Sequence, residues 1–187
     1  MWLLAVWVIV AVLSLELLAQ QAIIESSCDF EIFYKVILTT EQDYASLPIG
    51  GVSIPYPSNI GVSVKISTDE LVLDPTTPQG AILQLEFTWN STQETLYYDL
   101  SNINGAPFYA YGMTLNPSSG ASPAFPTCLP VGCAAGTDVC PSVYTVPNGN
   151  NTMACGLTDL TLSLCDPLPS FPRIRHIRSK HFHHGFY

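Results

Sequence analysis

The sequence predicts an all-β sandwich, stapled by disulfides and carrying a loop-rich lobe. Three observations predict it. Short runs of alternating apolar and polar residues follow one another, separated by Pro, Gly and Asn. Beyond the apolar N-terminal run, no stretch repeats with the period of a helix. Six cysteines, an even number, all lie behind that run, at positions 28, 128, 133, 140, 155 and 165.

Residues 1–22 read as a secretory signal: apolar from Trp2 to Leu18, then Ala-Gln-Gln-Ala, with cleavage after Ala19 or Ala22. Glu16 interrupts the run and leaves about 14 clean apolar residues, short of the roughly 20 a membrane span needs. A single N-terminal anchor is the alternative. Otherwise no contact with a membrane is expected. Residues 23–166 form the domain, a usual single-domain size.

Its first strand-like run is Cys28 to Leu38, with Phe30, Ile32, Tyr34, Val36 and Leu38 on one side. Ile60, Val62, Val64 and Ile66 alternate with Gly61, Ser63, Lys65 and Ser67. Leu83, Leu85, Phe87 and Trp89 alternate with Gln84, Glu86 and Thr88, and their parity places Trp89 in the core. Leu96, Tyr98 and Leu100 follow, then Tyr111, Met113 and Leu115, and finally Leu160, Leu162 and Leu164. Many short strands between turns point to two packed sheets. Residues 116–150 are rich in Pro, Ser, Gly and Ala and hold three cysteines, so they read as a lobe held by disulfides. Residues 167–187 read as a basic, His-rich, disordered tail.

Charge and histidine content exclude several function classes. The formal net charge is −9, and four of the six Lys+Arg (Arg173, Arg175, Arg178 and Lys180) lie in the tail. An acidic body repels phosphate backbones, so no nucleic-acid partner is expected. All four histidines (His176, His181, His183 and His184) also lie in the tail. The body therefore lacks a histidine base, a Ser-His-Asp arrangement or a His-ligated zinc site, and no metal or cofactor is expected. The tail histidines read as solvated, with no fixed coordination geometry. Two sequons, Asn90-Ser-Thr and Asn150-Asn-Thr, sit in turn-like sequence and mark candidate glycosylation sites.

The most informative local pattern spans residues 82–100. Two apolar-alternating runs flank Asn90-Ser-Thr-Gln-Glu-Thr95. A symmetric antiparallel hairpin sets Trp89 opposite Leu96, Phe87 opposite Tyr98 and Leu85 opposite Leu100, and the coincidence of the apolar sides fixes the parity. On the other side Glu86 then faces Asp99. Like charges so placed are destabilising and couple their titrations, raising one pKa. Such a pair marks a binding site; the alternatives are two carboxylates splayed apart into solvent, or a register shifted by two that separates them. Tyr97 shares the polar side with Asp99, and a tyrosine ring beside carboxylates suits sugar binding.

These residues also carry a resemblance. Leu85-Glu-Phe-Thr88 and Tyr98-Asp-Leu-Ser-Asn-Ile-Asn-Gly105 resemble the acidic-cleft strands of thaumatin-like proteins. Cys128-Leu-Pro-Val-Gly-Cys133, Val139-Cys-Pro141 and the ending Leu160-Thr-Leu-Ser-Leu-Cys165 resemble that family's cysteine framework. The pattern is most similar to the short fungal group named for a Blastomyces yeast-phase antigen. The resemblance implies a thaumatin-like β-sandwich with bridges Cys28–Cys165, Cys128–Cys155 and Cys133–Cys140. It also implies a candidate acidic cleft of Glu86, Asp99, Tyr97 and Asn104. The plant proteins line that cleft with an Arg, a Glu and two Asp. Here Glu86 and Asp99 match, Asn104 stands at the second Asp, no Arg matches near Lys65, and most of the second domain is missing.

The function expected is that of a secreted, non-catalytic protein of the fungal wall or extracellular space that binds polysaccharide (β-glucan) or a surface partner. The alternatives are a secreted antigen or effector that binds a host protein, and a weak endo-β-1,3-glucanase that uses the two carboxylates.

Overall fold

The computed structural model describes residues 20–40, 42–73, 80–137 and 140–165. The expected leader through Ala19 and the tail from 167 lie outside the described residues. Among the described residues the chain forms eleven strands and one single-turn 3-10 helix at Glu70–Leu73. None of their helices is long and apolar enough to cross a membrane.

One sheet has five strands, in the order β4 (Val52–Pro55), β1 (Gln21–Ser26), β11 (Leu160–Leu164), β8 (Met113–Pro117) and β9 (Val131–Cys133). The other has six, in the order β10 (Met153–Cys155), β7 (Thr95–Asn104), β6 (Ile82–Asn90), β5 (Gly61–Ser67), β2 (Phe33–Ile37) and β3 (Ala45–Ser46). One core joins them: Ala22, Ile24, Leu115, Leu160, Leu162 and Leu164 from the first sheet meet Val64, Ile66, Leu83, Leu85, Leu96, Tyr98 and Leu100 from the second. All thirteen side chains are fully buried. The alternation read in the sequence is the cause in β5, β6 and β11, where the apolar set faces inward and the polar set outward.

β1 is an interior strand. It pairs antiparallel with β4 and parallel with β11, so the first and last strands described lie side by side. It was not expected as a strand, and it takes in Gln21 and Ala22 from the stretch read as leader. Cys28 accordingly sits just past a strand rather than within one, and the strand expected over 28–38 is confined to Phe33–Ile37. Trp89, expected in the core, is half-buried at the hairpin's end, where its carbonyl accepts the Asn59 N–H (2.8 Å).

The three bridges implied by the resemblance are present: Cys28–Cys165, Cys128–Cys155 and Cys133–Cys140. Their Cα separations of 5.0, 4.7 and 5.3 Å lie in the ordinary range. The last two hold the lobe, whose described residues contribute the end of β8 and three-residue β9 and otherwise run as turns and loops. Tyr98 ties the lobe to the core, its hydroxyl donating to the Leu129 carbonyl (2.7 Å). Burial pushes that phenol's pKa up to about 12.

Candidate functional site

The site is built on the β6–β7 hairpin. Observed pairs are Leu85–Leu100, Glu86–Asp99, Phe87–Tyr98 and Trp89–Leu96, the register expected from parity. The turn is set by Asn90, whose Oδ1 accepts the N–H groups of Thr92 (3.1 Å) and Gln93 (3.0 Å). It ends at Glu94 in the left-handed region (φ 49°).

Glu86 also pairs with Ser63 on β5. Three strands therefore bring Ser63, Glu86 and Asp99 into one row across the outward face of the six-stranded sheet. The row ends at Thr152, just ahead of edge strand β10, where Thr152 Oγ1 donates to Asp99 Oδ2 (3.4 Å). The Tyr144 hydroxyl lies 2.9 Å from that same Thr152 oxygen. Tyr144 is held against β7 by two backbone bonds, its N–H to the Leu100 carbonyl (2.9 Å) and its carbonyl to the Asn102 N–H (2.7 Å).

Two groups in the row have no hydrogen-bond partner. Ser63 Oγ and Asp99 Oδ1 are both buried and unpaired, one on each side of Glu86. A buried acceptor without a donor is costly. The Asp99 carboxyl is held above the usual range, with a pKa of about 6. Burial is the main cause, the Glu86 charge adds to it, and the Thr152 hydrogen bond opposes it.

Tyr97 lies one row along on the same face, paired with Thr88 and Ala154. It is 38% exposed, and its hydroxyl donates to Gln93 Oε1 (3.0 Å). Asn104 is not brought to the pair. It stands five residues beyond Asp99, roughly 17 Å along an extended strand, past a bulge, where its Oδ1 accepts from Gln84 Nε2 (3.3 Å). Sequence reasoning missed Ser63, Tyr144 and Thr152. Only Ser63 carried a signal, its place on the polar side of an alternating run. Among the described residues no cluster of three or more His, Cys, Asp or Glu could hold a metal ion. The sequon asparagines sit at the margins of the face: Asn90 half-buried in the hairpin turn, and Asn150 exposed two residues before Thr152.

Residues 9–166 match the family described as Blastomyces yeast-phase-specific protein. The chain belongs to this family. Its curated relatives include an antigenic thaumatin-like protein of Arthroderma benhamiae, 35% identical over 107 residues, which are 56% of this chain and 47% of that protein. The chain thus spans about half the length of the curated relative it matches. Among solved structures, the protein elicitor MoHrip2 from Magnaporthe oryzae superposes with a TM-score of 0.62 at 22% identity, covering 79% of this chain and 100% of that one. The thaumatin-like xylanase inhibitor TLXI gives 0.49 at 16% identity, covering 78% and 99%. The Blastomyces-type family match places the all-β fold and its disulfides among fungal thaumatin-like proteins, and three disulfides fit an extracellular protein.

Proposed function

We propose that this is a secreted, non-catalytic protein whose outward sheet face binds wall polysaccharide of the β-glucan class. One observation supports it above the others: the row Ser63–Glu86–Asp99–Thr152 contains two buried oxygens without partners. A sugar ring carries several hydroxyls, and each hydroxyl both donates and accepts. Sugar hydroxyls laid along the row donate to the half-buried Glu86 carboxylate, and binding requires Asp99 and Ser63 to turn their buried, unpartnered oxygens outward to meet the next hydroxyls. Tyr97, exposed in the neighbouring row, offers a ring face.

Pull-down on insoluble β-1,3-glucan tests the reading, with an inert particle as the control surface. Wild type is retained on glucan, and Glu86→Gln and Asp99→Asn are retained less. Equal recovery from glucan and the inert particle ends the polysaccharide reading and leaves a host or surface protein as partner. Sugar release from laminarin under the same conditions would make the carboxylate pair catalytic instead.

A further inference from the structure

The N-terminal boundary of the mature chain follows from β1. Gln21 and Ala22 are integral to an interior strand. Ala22 is fully buried in the core and pairs with Ile54 on one side and Leu160 on the other. The Gln21 N–H donates to Asp159 Oδ1 (3.0 Å), and its carbonyl accepts the Tyr56 hydroxyl (2.9 Å). Its side-chain oxygen accepts from Ser53 Oγ. A cut after Ala22 deletes all of these contacts. It also places a charged ammonium at Ile23, between β4 and β11, where desolvation of charge is unfavourable. A cut after Ala19 leaves the strand whole and makes Gln20 the first residue, one position ahead of β1.

We propose that the mature chain begins at Gln20 and that this residue closes to pyroglutamate, capping β1. The α-amine of Gln20 attacks its own side-chain amide carbon. The new N–C bond closes a five-membered lactam, the old C–N bond breaks, and ammonia leaves with the proton shed by the attacking amine. No oxidation or reduction is involved. The lactam carries no α-ammonium, the group that aminopeptidases grip. One residue is all that separates the terminus from an interior strand, so stepwise trimming soon reaches Gln21 and its three polar partners. The cap rests on the secretion half of the function proposed above and is independent of the acidic row.

The test uses the full 187-residue chain, secreted by a eukaryotic host and recovered from the medium. Its N-terminal peptide is read by mass spectrometry after labelling of free α-amines. The expected peptide starts at residue 20, takes no amine label and is lighter by one ammonia than the open form. A peptide starting at Ile23 overturns the boundary. A labelled, open Gln20 overturns the cap. Gln20→Ser keeps the cut but cannot cyclise. It takes the label and is trimmed by aminopeptidase while wild type resists; equal trimming overturns the protective role. A chain retained in cells with residues 1–19 attached overturns the leader and the cap together, while the glucan assay separately decides the acidic row.

Discussion

Asp99→Asn should stabilise the domain at neutral pH, an unusual outcome for removing a charge from a native structure. The reason is the direction of the pKa shift. The folded-state carboxyl sits at about 6 against an ordinary value of 3.8. Below 3.8 it is protonated in both folded and unfolded chains and contributes nothing adverse. As pH rises from 3.8 towards 6 the unfolded chain ionises first, so the native state binds more protons and stability falls. Above 6 the cost is constant. The full shift corresponds to about 3 kcal/mol. Asp99 is only half-buried, so solvent screening brings the expected effect to about 1–2 kcal/mol. Asparagine has the same shape, keeps an acceptor for Thr152 and carries no charge beside Glu86. Melting curves at pH 7.5 should place Asp99→Asn roughly 3–6 °C above wild type. At pH 3.5 the two should nearly coincide. The difference between the variants isolates Asp99 from the other carboxylates. A gap of the same size at both pH values refutes the reasoning, because it shows that the substitution acts through packing rather than ionisation. Glu86→Gln gives a second check: the Asp99 carboxyl, followed by carbon NMR, should titrate at lower pH once its neighbour's charge is gone.

The bridges should rank by loop length. Chain-entropy arithmetic assigns about 5 kcal/mol to Cys28–Cys165, about 3.6 to Cys128–Cys155 and about 2.4 to Cys133–Cys140, from separations of 137, 27 and 7. Paired Cys→Ala variants in denaturant titrations check the order, and three equal losses contradict it. Tyr98→Phe removes the hydrogen bond to Leu129 from a fully buried site. It should cost about 1–2 kcal/mol by urea unfolding, because the Leu129 carbonyl is left without its donor. Glycopeptide analysis should find Asn150 occupied, and Asn150→Gln should raise retention on glucan, because a glycan there stands beside Thr152 at the end of the acidic row.

The parts of this fold that repeat were legible in the sequence. In β5, β6, β11 and the first half of β7 the apolar residues alternate, so strand, inward face and hairpin parity follow from the pleat alone. Glu86 opposite Asp99 came from that parity. β1 was hidden because Gln-Ala-Ile-Ile directly follows an apolar leader and shares its composition. β9 and β10, three residues each, are too short to show a period. Thr152 and Tyr144 were out of reach for another reason. They come to Asp99 because the lobe folds back along β7, and a loop held by disulfides leaves no alternation to read. Asn104, assigned to the cleft by the resemblance, stands past the bulge and along β7 from the Glu86–Asp99 pair.

The parallel pairing of β1 with β11 also shapes the order in which the chain can be made. β11 is synthesised after everything else described here, so β1 waits through nearly the whole of translation with β4 as its one available neighbour. Such distant pairing is slow to form. Cys28 shares the wait. Its partner Cys165 is the last cysteine to emerge, and Cys128, Cys133, Cys140 and Cys155 all precede it. Any oxidation before synthesis ends therefore joins Cys28 to a wrong partner or leaves it a free thiolate. Where Cys28 has taken a wrong partner, the longest bridge is reached by thiol–disulfide exchange, a process of seconds to hours that isomerases accelerate. Yield from an oxidising compartment should accordingly follow the supply of disulfide isomerase more closely than the stability of the finished domain.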